Sequence, residues 1–391
     1  MRIPALLAAF AILAAAQPVF ESEAVFPSEA IHNHSSSIVE LPNGDLLVCW
    51  YHGSGERTAD DVKILGARRP KGSSTWSAPF LLADTPGFPD TNPVLWVDRD
   101  NRLWLYWGLI VANEWHTALL KYVRSDDAWG GPGAPRWQWS DQIVLAPRNM
   151  LERTKQVLEP DLKRAGPIAQ QASRLIALAS DKYFSRMGWF TRTHPIELPG
   201  GRILVPLYSD GYSFGLMAIS DDRGKTWTGS EPIVGWGPVQ PSVVRRNSGE
   251  LVAYLRDNGP PPKRVLISVS KDEGVSWSAA TDTNIFNSGT SVEAIRLKDG
   301  RWLMVNNDTE TGRSSLAASI SDDEGATWRF IRHIELDPAG KGRFHYPSVV
   351  QAADGSIHAT YSYFARSAEG GELKTVKHAR FNAAWVEAGD R

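Results

Sequence analysis

Along this chain, apolar strands repeatedly begin with side chains that can move protons or hold anions. "HNHSSS" supplies His32, Asn33 and His34, and "FPDTNP" supplies Asp90 and Asn92. "TRTHP" adds Arg192 and His194, "VQPS" adds Gln240, "GTSVE" adds Glu293, and "FHYPS" adds His345 and Tyr346. The strands that follow end in polar stretches too: "GERTADD" at 55–61, "YSD" at 208–210, "LRDNG" at 255–259 and "NNDTETGR" at 306–313. Serine, asparagine and aspartate are ordinary turn closers. Arginine and tyrosine are not, and a guanidinium fork matches a carboxylate. The chemistry such a set suits is proton transfer beside a bound anion. The competing readings are ion pairs between neighbouring sheets for the arginines and a strand-end hydrogen bond for Tyr346.

These residues are far apart in sequence, so some repeating scaffold must gather them. "AISDDRGKTW" (218–227), "SVSKDEGVSW" (268–277) and "SISDDEGATW" (319–328) spell one turn three times. Its aspartate can close on backbone N–H groups, its glycine can take positive φ, and its tryptophan can pack between sheets. Degenerate copies end at Trp76 and near Trp137, and Trp385 ends the series. A second series of Asp-Gly-like turns, from "LPNGD" (41–45) to "AADGS" (352–356), runs in step with the first. The pattern predicts an all-β chain of six short sheets, a six-bladed β-propeller. Residues 150–187 break the rhythm and read as a helical insertion between blades 2 and 3. In a propeller the innermost strands line the axis, so strand starts and the following strand ends meet at one mouth. The repeat is scaffold, and the chemistry lies between its copies.

A formal net charge of -2 offers nothing to attract nucleic acid or an anionic membrane. The first residues, "MRIPALLAAFAILAAAQPVF", read as a cleavable signal at 1–16, with a single propeller domain over 17–391. Secretion or a periplasmic location is the expectation, without membrane insertion. Cys49 is the lone cysteine, so no disulfide forms within the chain. His32, His34, His194 and His345 lack a recognised ligand spacing, so neither a metal nor another cofactor is expected. A monomer with a small-molecule or neutral-to-acidic polymer partner fits these constraints.

Over nearly all of the expected mature chain the sequence resembles bacterial sialidases, and more closely the secreted sialidase-like proteins with Asp-box (BNR) repeats. That resemblance implies a sialidase-type propeller and removal of a terminal acidic sugar. It also implies roles. Tyr346, eight residues before the turn at 354–355, matches the nucleophile. Arg256 and Arg313 match two of three carboxylate-binding arginines, and Asp90 lies where the acid/base is expected. Arg57 and Asp61 fall near a substrate-contacting loop. The sequence departs from the pattern twice: His34 occupies the approximate place of the first arginine, and Gln240 that of the glutamate partner of the tyrosine. An amide cannot accept a proton as a carboxylate does. Asp257, Glu293 or a histidine could substitute as base, and Arg192 and His194 complete the expected substrate-contacting ring. A polysaccharide lyase acting beside a uronate carboxylate, or a non-catalytic glycan-binding propeller, stands as the alternative.

Overall fold

The computed structural model describes residues 17–367 and 369–390. The expected signal segment at 1–16 lies outside the described residues. Six antiparallel sheets follow one another along the chain. Blade 1 runs through His32–Glu40, Leu46–Gly53, Lys63–Arg69 and Phe80–Ala83. Blades 2 to 5 open with Asp90–Val97, Phe190–Thr191, Pro238–Arg245 and Glu293–Arg296. Blade 6 takes Gly342–Gln351, Ile357–Arg366 and Glu372–Phe381, and borrows its outermost strand, Phe20–Ala24, from the first described residues. This exchange closes the ring. Glu23 on the borrowed strand accepts from Arg69 and Trp76 of blade 1 at 2.7 and 3.0 Å, so it joins the last blade to the first. Phe20 stacks on the buried Trp385 with ring centroids 4.5 Å apart.

Each innermost strand has one edge with no neighbouring strand, and its backbone groups need partners. The neighbouring blade supplies them. Ser348 of blade 6 accepts from Ile38 N, and Ser37 of blade 1 accepts from Leu95 N. Ser242 of blade 4 accepts from Ala294 N at 2.9 Å, and Glu293 of blade 5 accepts from Val349 N at 2.8 Å. Thr193 of blade 3 donates to Pro241 O at 2.5 Å.

The three repeated turns share one wiring. Asp222 accepts from Ser220, Thr226 N and the Thr226 hydroxyl at 2.8, 2.9 and 2.6 Å. Asp272 and Asp323 do the same with Ser270 and Ser276, and with Ser321 and Thr327. The Thr226 and Thr327 bonds hold Asp222 and Asp323 at about 2. The glycines serve close approach. A Cβ on Gly325, at φ +83°, would lie 2.1 Å from the Tyr254 hydroxyl of the preceding blade. Trp277 is buried between blades, and Trp328 meets Tyr254 edge-on at 5.7 Å.

Helices Met150–Leu158, Pro167–Ser180 and Lys182–Arg186 fill the connection from blade 2 to blade 3. The first buries Met150, Thr154 and Leu158, and the second Ala172, Leu175 and Ala179, one stripe each. Asp181 caps the third by accepting from Tyr183 N and Phe184 N. Among the described residues no helix is long and apolar enough to cross a membrane. Cys49 is buried, which pushes its thiol far above its ordinary value.

Gly325→Ala combines positive φ with overlap on Tyr254, so urea unfolding should show a loss of roughly 2 kcal/mol or more. A loss under about 0.5 kcal/mol, the ordinary surface level, would contradict the close approach.

Candidate active site

Four innermost strands carry the same irregularity. Between His34 and Ser37, Thr91 and Val94, Val239 and Ser242, and His345 and Ser348, the ladder gains one residue over its partner strand. The bulged residue is left-handed each time: Ser35 at φ 58°, Asn92 at 48°, Gln240 at 55° and Tyr346 at 52°. Proline follows three of them, at 93, 241 and 347, where a missing N–H costs no ladder bond. Positive φ is strained for a bulky residue such as tyrosine, and such strain concentrates at functional sites. The bulges turn these side chains toward one mouth of the propeller.

Tyr346 is the centre of that mouth. Arg256 Nη1 donates to its hydroxyl at 3.1 Å and Gln240 Nε2 donates at 3.4 Å. His34 stacks on its ring with centroids 4.5 Å apart. The Arg192 guanidinium lies 4.9 Å and that of Arg313 5.8 Å from the ring centre. Arg192 is fully buried and donates to Pro347 O at 2.9 Å, while its Nε and Nη1 have no protein partner. Gln240 Oε1, Arg256 Nε and His345 Nε2 are also buried without partners. Buried polar atoms are nearly always paired, so this concentration marks a place for a ligand or water.

His34 and His345 are neutral. Burial, and then the Coulomb effect of His345, push His34 well below the usual imidazole range; burial and Arg313 do the same to His345. His345 Nδ1 contacts Arg313 Nη1, a donor, so its hydrogen belongs on Nε2. Two carboxylates complete the mouth. Glu56 accepts from the Tyr51 hydroxyl at 2.7 Å and lies 3.2 Å from His32 Nε2. Burial opposes its charge, but the contacts with His32 and Tyr51 outweigh it and bring Glu56 to about 2. Asp210, at the end of the strand Ile203–Ser209, is open to the cleft yet walled by protein. That desolvation raises its pKa, against the pull of Arg256 and Arg57, with Glu56 adding to the rise.

The structure thus brings together His34, Arg192, Gln240, Arg256, Arg313 and Tyr346, with Arg57 near the rim beside Glu114 at 3.6 Å. The other expected site residues are placed elsewhere. Asp90 is fully buried and accepts from Trp107 Nε1 and Thr85 N at 2.7 and 2.6 Å, so it faces the sheet interior and cannot reach a substrate. Asp257 turns away to close the loop after its strand, accepting from Gly259 N and Arg264 N. Asp61 caps Ser54 through N and Oγ. Gln240 directs its N–H at the phenol and is no base for it.

Glu293 and His194 lie below the bulges, at the level of Ile38 and Val349, and not at the mouth. Glu293 accepts from His194 N and Nδ1, both at 2.8 Å. His194 Nε2 meets Ile38 O at 2.9 Å. Both ring nitrogens face acceptors, so both carry hydrogen and His194 is an imidazolium. Glu293 also holds Val349 N, so the pair ties blades 1, 3, 5 and 6 beneath Tyr346. Beyond it the axial channel opens as a cavity of about 610 Å³ at the opposite end, lined by Glu40, Trp96, Arg245 and Arg296 among others. Among the described residues no three His, Cys, Asp or Glu side chains are grouped to hold a metal ion.

Sequence reasoning passed over Glu56, Asp210 and Tyr208 as individual residues. "GERTADD" and "YSD" were visible as strand ends, and the ring argument applied to every such end would have reached all three. Tyr208 accepts from Asn92 Nδ2 at 3.2 Å and so ties the blade 2 bulge to blade 3.

A family model described as BNR repeat-like domain matches residues 44–359. No curated protein matches the sequence. Among solved structures, a protein of unknown function from Dyadobacter fermentans is 19% identical, with a TM-score of 0.64, over 93% of this chain and 98% of that one. A leech intramolecular trans-sialidase, in complex with 2,7-anhydro-Neu5Ac, is 16% identical, with a TM-score of 0.69, over 94% and 71%. The NanB sialidase of Streptococcus pneumoniae is 12% identical, with a TM-score of 0.66, over 90% and 68%.

The His194–Glu293 pair sets a pH dependence of stability. Burial opposes both charges, but each partner outweighs it, so His194 is raised above 6.5 and Glu293 lowered below 4.5. The histidine's contribution is full below 6.5 and is lost as pH rises through its raised value. The glutamate's is full above 4.5 and is lost as pH falls through its lowered value. The pair therefore stabilises most between these ordinary values. His194→Gln, which leaves a buried carboxylate unpaired, should cost about 3 kcal/mol near pH 6. The double variant with Glu293→Gln should recover part of that loss and flatten the pH profile. Equal pH profiles for wild type and the double variant would contradict the pairing.

Proposed function

Because the chain belongs to the BNR repeat-like domain family and adopts the six-bladed sialidase-type propeller, we propose that it is an exported glycoside hydrolase, exo-α-sialidase-like, that removes a terminal acidic sugar from glycans. The observation that carries this reading is the gathering of Arg192, Arg256 and Arg313 around Tyr346. Arg256 and Arg313 are half-buried and face the mouth, where they would grip the sugar carboxylate. Arg192, from a different blade than the resemblance suggested for the missing arginine, adds positive charge from beneath the ring. A carboxylate nucleophile would be repelled by the substrate's own carboxylate, whereas a phenol carries no full charge until it reacts. Attack by the phenol releases its proton to the neutral His34 stacked on its ring, and Arg256 and Gln240, which donate to the hydroxyl oxygen, stabilise the phenolate. In this reading Asp210, the carboxyl in the mouth whose pKa is raised by desolvation, takes the proton-donating role expected of Asp90. The exported location rests on the N-terminal signal pattern.

A second reading has its own support. Gln240 stands beside the phenol where a carboxylate would take its proton, while His34 and His345 are neutral. Of the two, His34 is the one whose acceptor is free, because His345 Nδ1 is taken by Arg313, and a neutral His34 beside the arginines suits a lyase that removes a proton next to a uronate carboxylate.

The two readings separate by mass when purified protein is incubated with sialosides and with uronate-capped oligosaccharides. Hydrolysis adds water; elimination gives an unsaturated product that absorbs in the ultraviolet; binding without conversion of any substrate would identify a glycan-binding propeller. For a hydrolase, Tyr346→Phe should lower kcat/KM at least about 100-fold, the scale of losing a group that acts on the reacting atoms. Activity should fall as pH rises through the Asp210 value, because the acid must be protonated, and Asp210→Asn should remove that limb. A Tyr346→Phe enzyme of wild-type activity would refute the hydrolase reading.

A further inference from the structure

A second concavity opens beside the mouth, between the helical insertion and the loop after Arg256. Its volume is about 1010 Å³, at the upper end of what holds a drug-sized ligand and enough for several sugar rings. Two chain segments wall both spaces. In blade 3, Asp210 faces the mouth while Tyr212 and Ser213 face the second cleft; in blade 4, Arg256 faces the mouth while Asp257 and Asn258 face the cleft. The two spaces are therefore separated by single residues of backbone.

The cleft is built and held. Tyr212 donates to Leu178 O at 2.9 Å and fixes the helix Pro167–Ser180. Asn258 Nδ2 donates to Ser213 Oγ at 3.1 Å and joins the two walls. The half-buried Trp236 lines it and is oriented by its indole N–H, which donates to Asp161 at 3.2 Å. Among the described residues no other aromatic ring stacks on that indole. Gln171, Asn258 and Asp282 add exposed hydrogen-bonding groups. Its lining holds one cation, Arg164, which is paired with Asp161 at 3.1 Å. An aromatic face with amide and carboxylate groups suits hydroxyl-rich, uncharged rings, and the absence of an unpaired cation among the described lining residues disfavours an acidic one. The arginine cluster lies in the adjoining mouth instead.

We propose that this cleft binds the neutral part of the glycan, the sugars next to the acidic end group, so that the preferred substrate is an acid-capped oligosaccharide of several residues. Trp236 supplies the stacking face and the helical insertion the outer wall. The inference rests on the glycosidase reading of the mouth for its biological meaning, but the cleft's affinity for neutral sugar does not depend on it.

Calorimetric titration with cellotetraose, xylotetraose and lacto-N-neotetraose, none carrying an acid, tests the cleft alone. At least one should bind. Trp236→Ala should weaken that binding at least tenfold, Trp236→Phe less than threefold, and Arg256→Ala should leave it unchanged. Asn258→Arg, a change at an exposed position of the wall, should reproduce the loss if Trp236→Ala does not fold. Failure of all three tetrasaccharides to bind, or binding that survives both Trp236→Ala and Asn258→Arg, would overturn the proposal. Titration with free sialic acid and glucuronate reports separately on the mouth: their failure to bind, with tetrasaccharide binding intact, would remove the hydrolase reading and leave the cleft standing.

Discussion

Six strand edges face a common axis with no strand beside them, and their backbone groups must be satisfied where water is scarce. The solution is side-chain bonding from the neighbouring blade: Ser348 to blade 1, Ser37 to blade 2, Thr193 to blade 4, Ser242 to blade 5 and Glu293 to blade 6. Each bond fixes the height of one innermost strand against the next. The bulges lie just above this level in four blades, so the side chains they turn into the mouth inherit that registration. Without it, Tyr346, Gln240 and Arg256 would have no reason to meet.

The same layering divides the charges. Below the bulges, Glu293 and His194 neutralise one another and serve the frame. Above them, the arginines outnumber the nearby carboxylates Glu56 and Asp210, and the neighbouring histidines His34 and His345 are kept neutral by burial. Glu56 is held as a fixed anion by its hydrogen bonds, whereas Asp210 has a raised pKa because it is desolvated. Two acids in one cup with pKa values pushed in opposite directions is the arrangement that separates a charge-balancing role from a proton-carrying one.

Much of the architecture was legible because turns and strands leave local signatures. The Ser-x-Asp-x-Gly-x-Ser/Thr-Trp turns, the Asp-Gly hairpins and the helical insertion at 150–187 each occur where the pattern put them. The closure was not legible, since Phe20–Ala24 reads like any short strand and only pairing with Glu372–Phe381 reveals its use. Within the site, the resemblance placed Tyr346, Arg256 and Arg313 in one mouth, and the structure brings them together. It failed for Asp90, because a residue at a strand start can point into the sheet as easily as toward the axis, and the Trp107 indole decides which. The strand-start reading failed for Glu293, whose carboxylate is taken below the bulges by His194 and Val349 N. The shared asparagine, glutamine or tyrosine before proline, at 92, 240 and 346, was the unread signal of the bulges.

The account's central claim is that Tyr346, Arg256 and Arg313 form a single anion-recognising site at one end of the axis. A crystal structure of the protein soaked with sialic acid or glucuronate tests it most directly. The account predicts the carboxylate bound between the Arg256 and Arg313 guanidiniums, with the sugar ring above Tyr346. An acidic sugar found only elsewhere on the surface, with those guanidiniums still turned to protein partners, would contradict it.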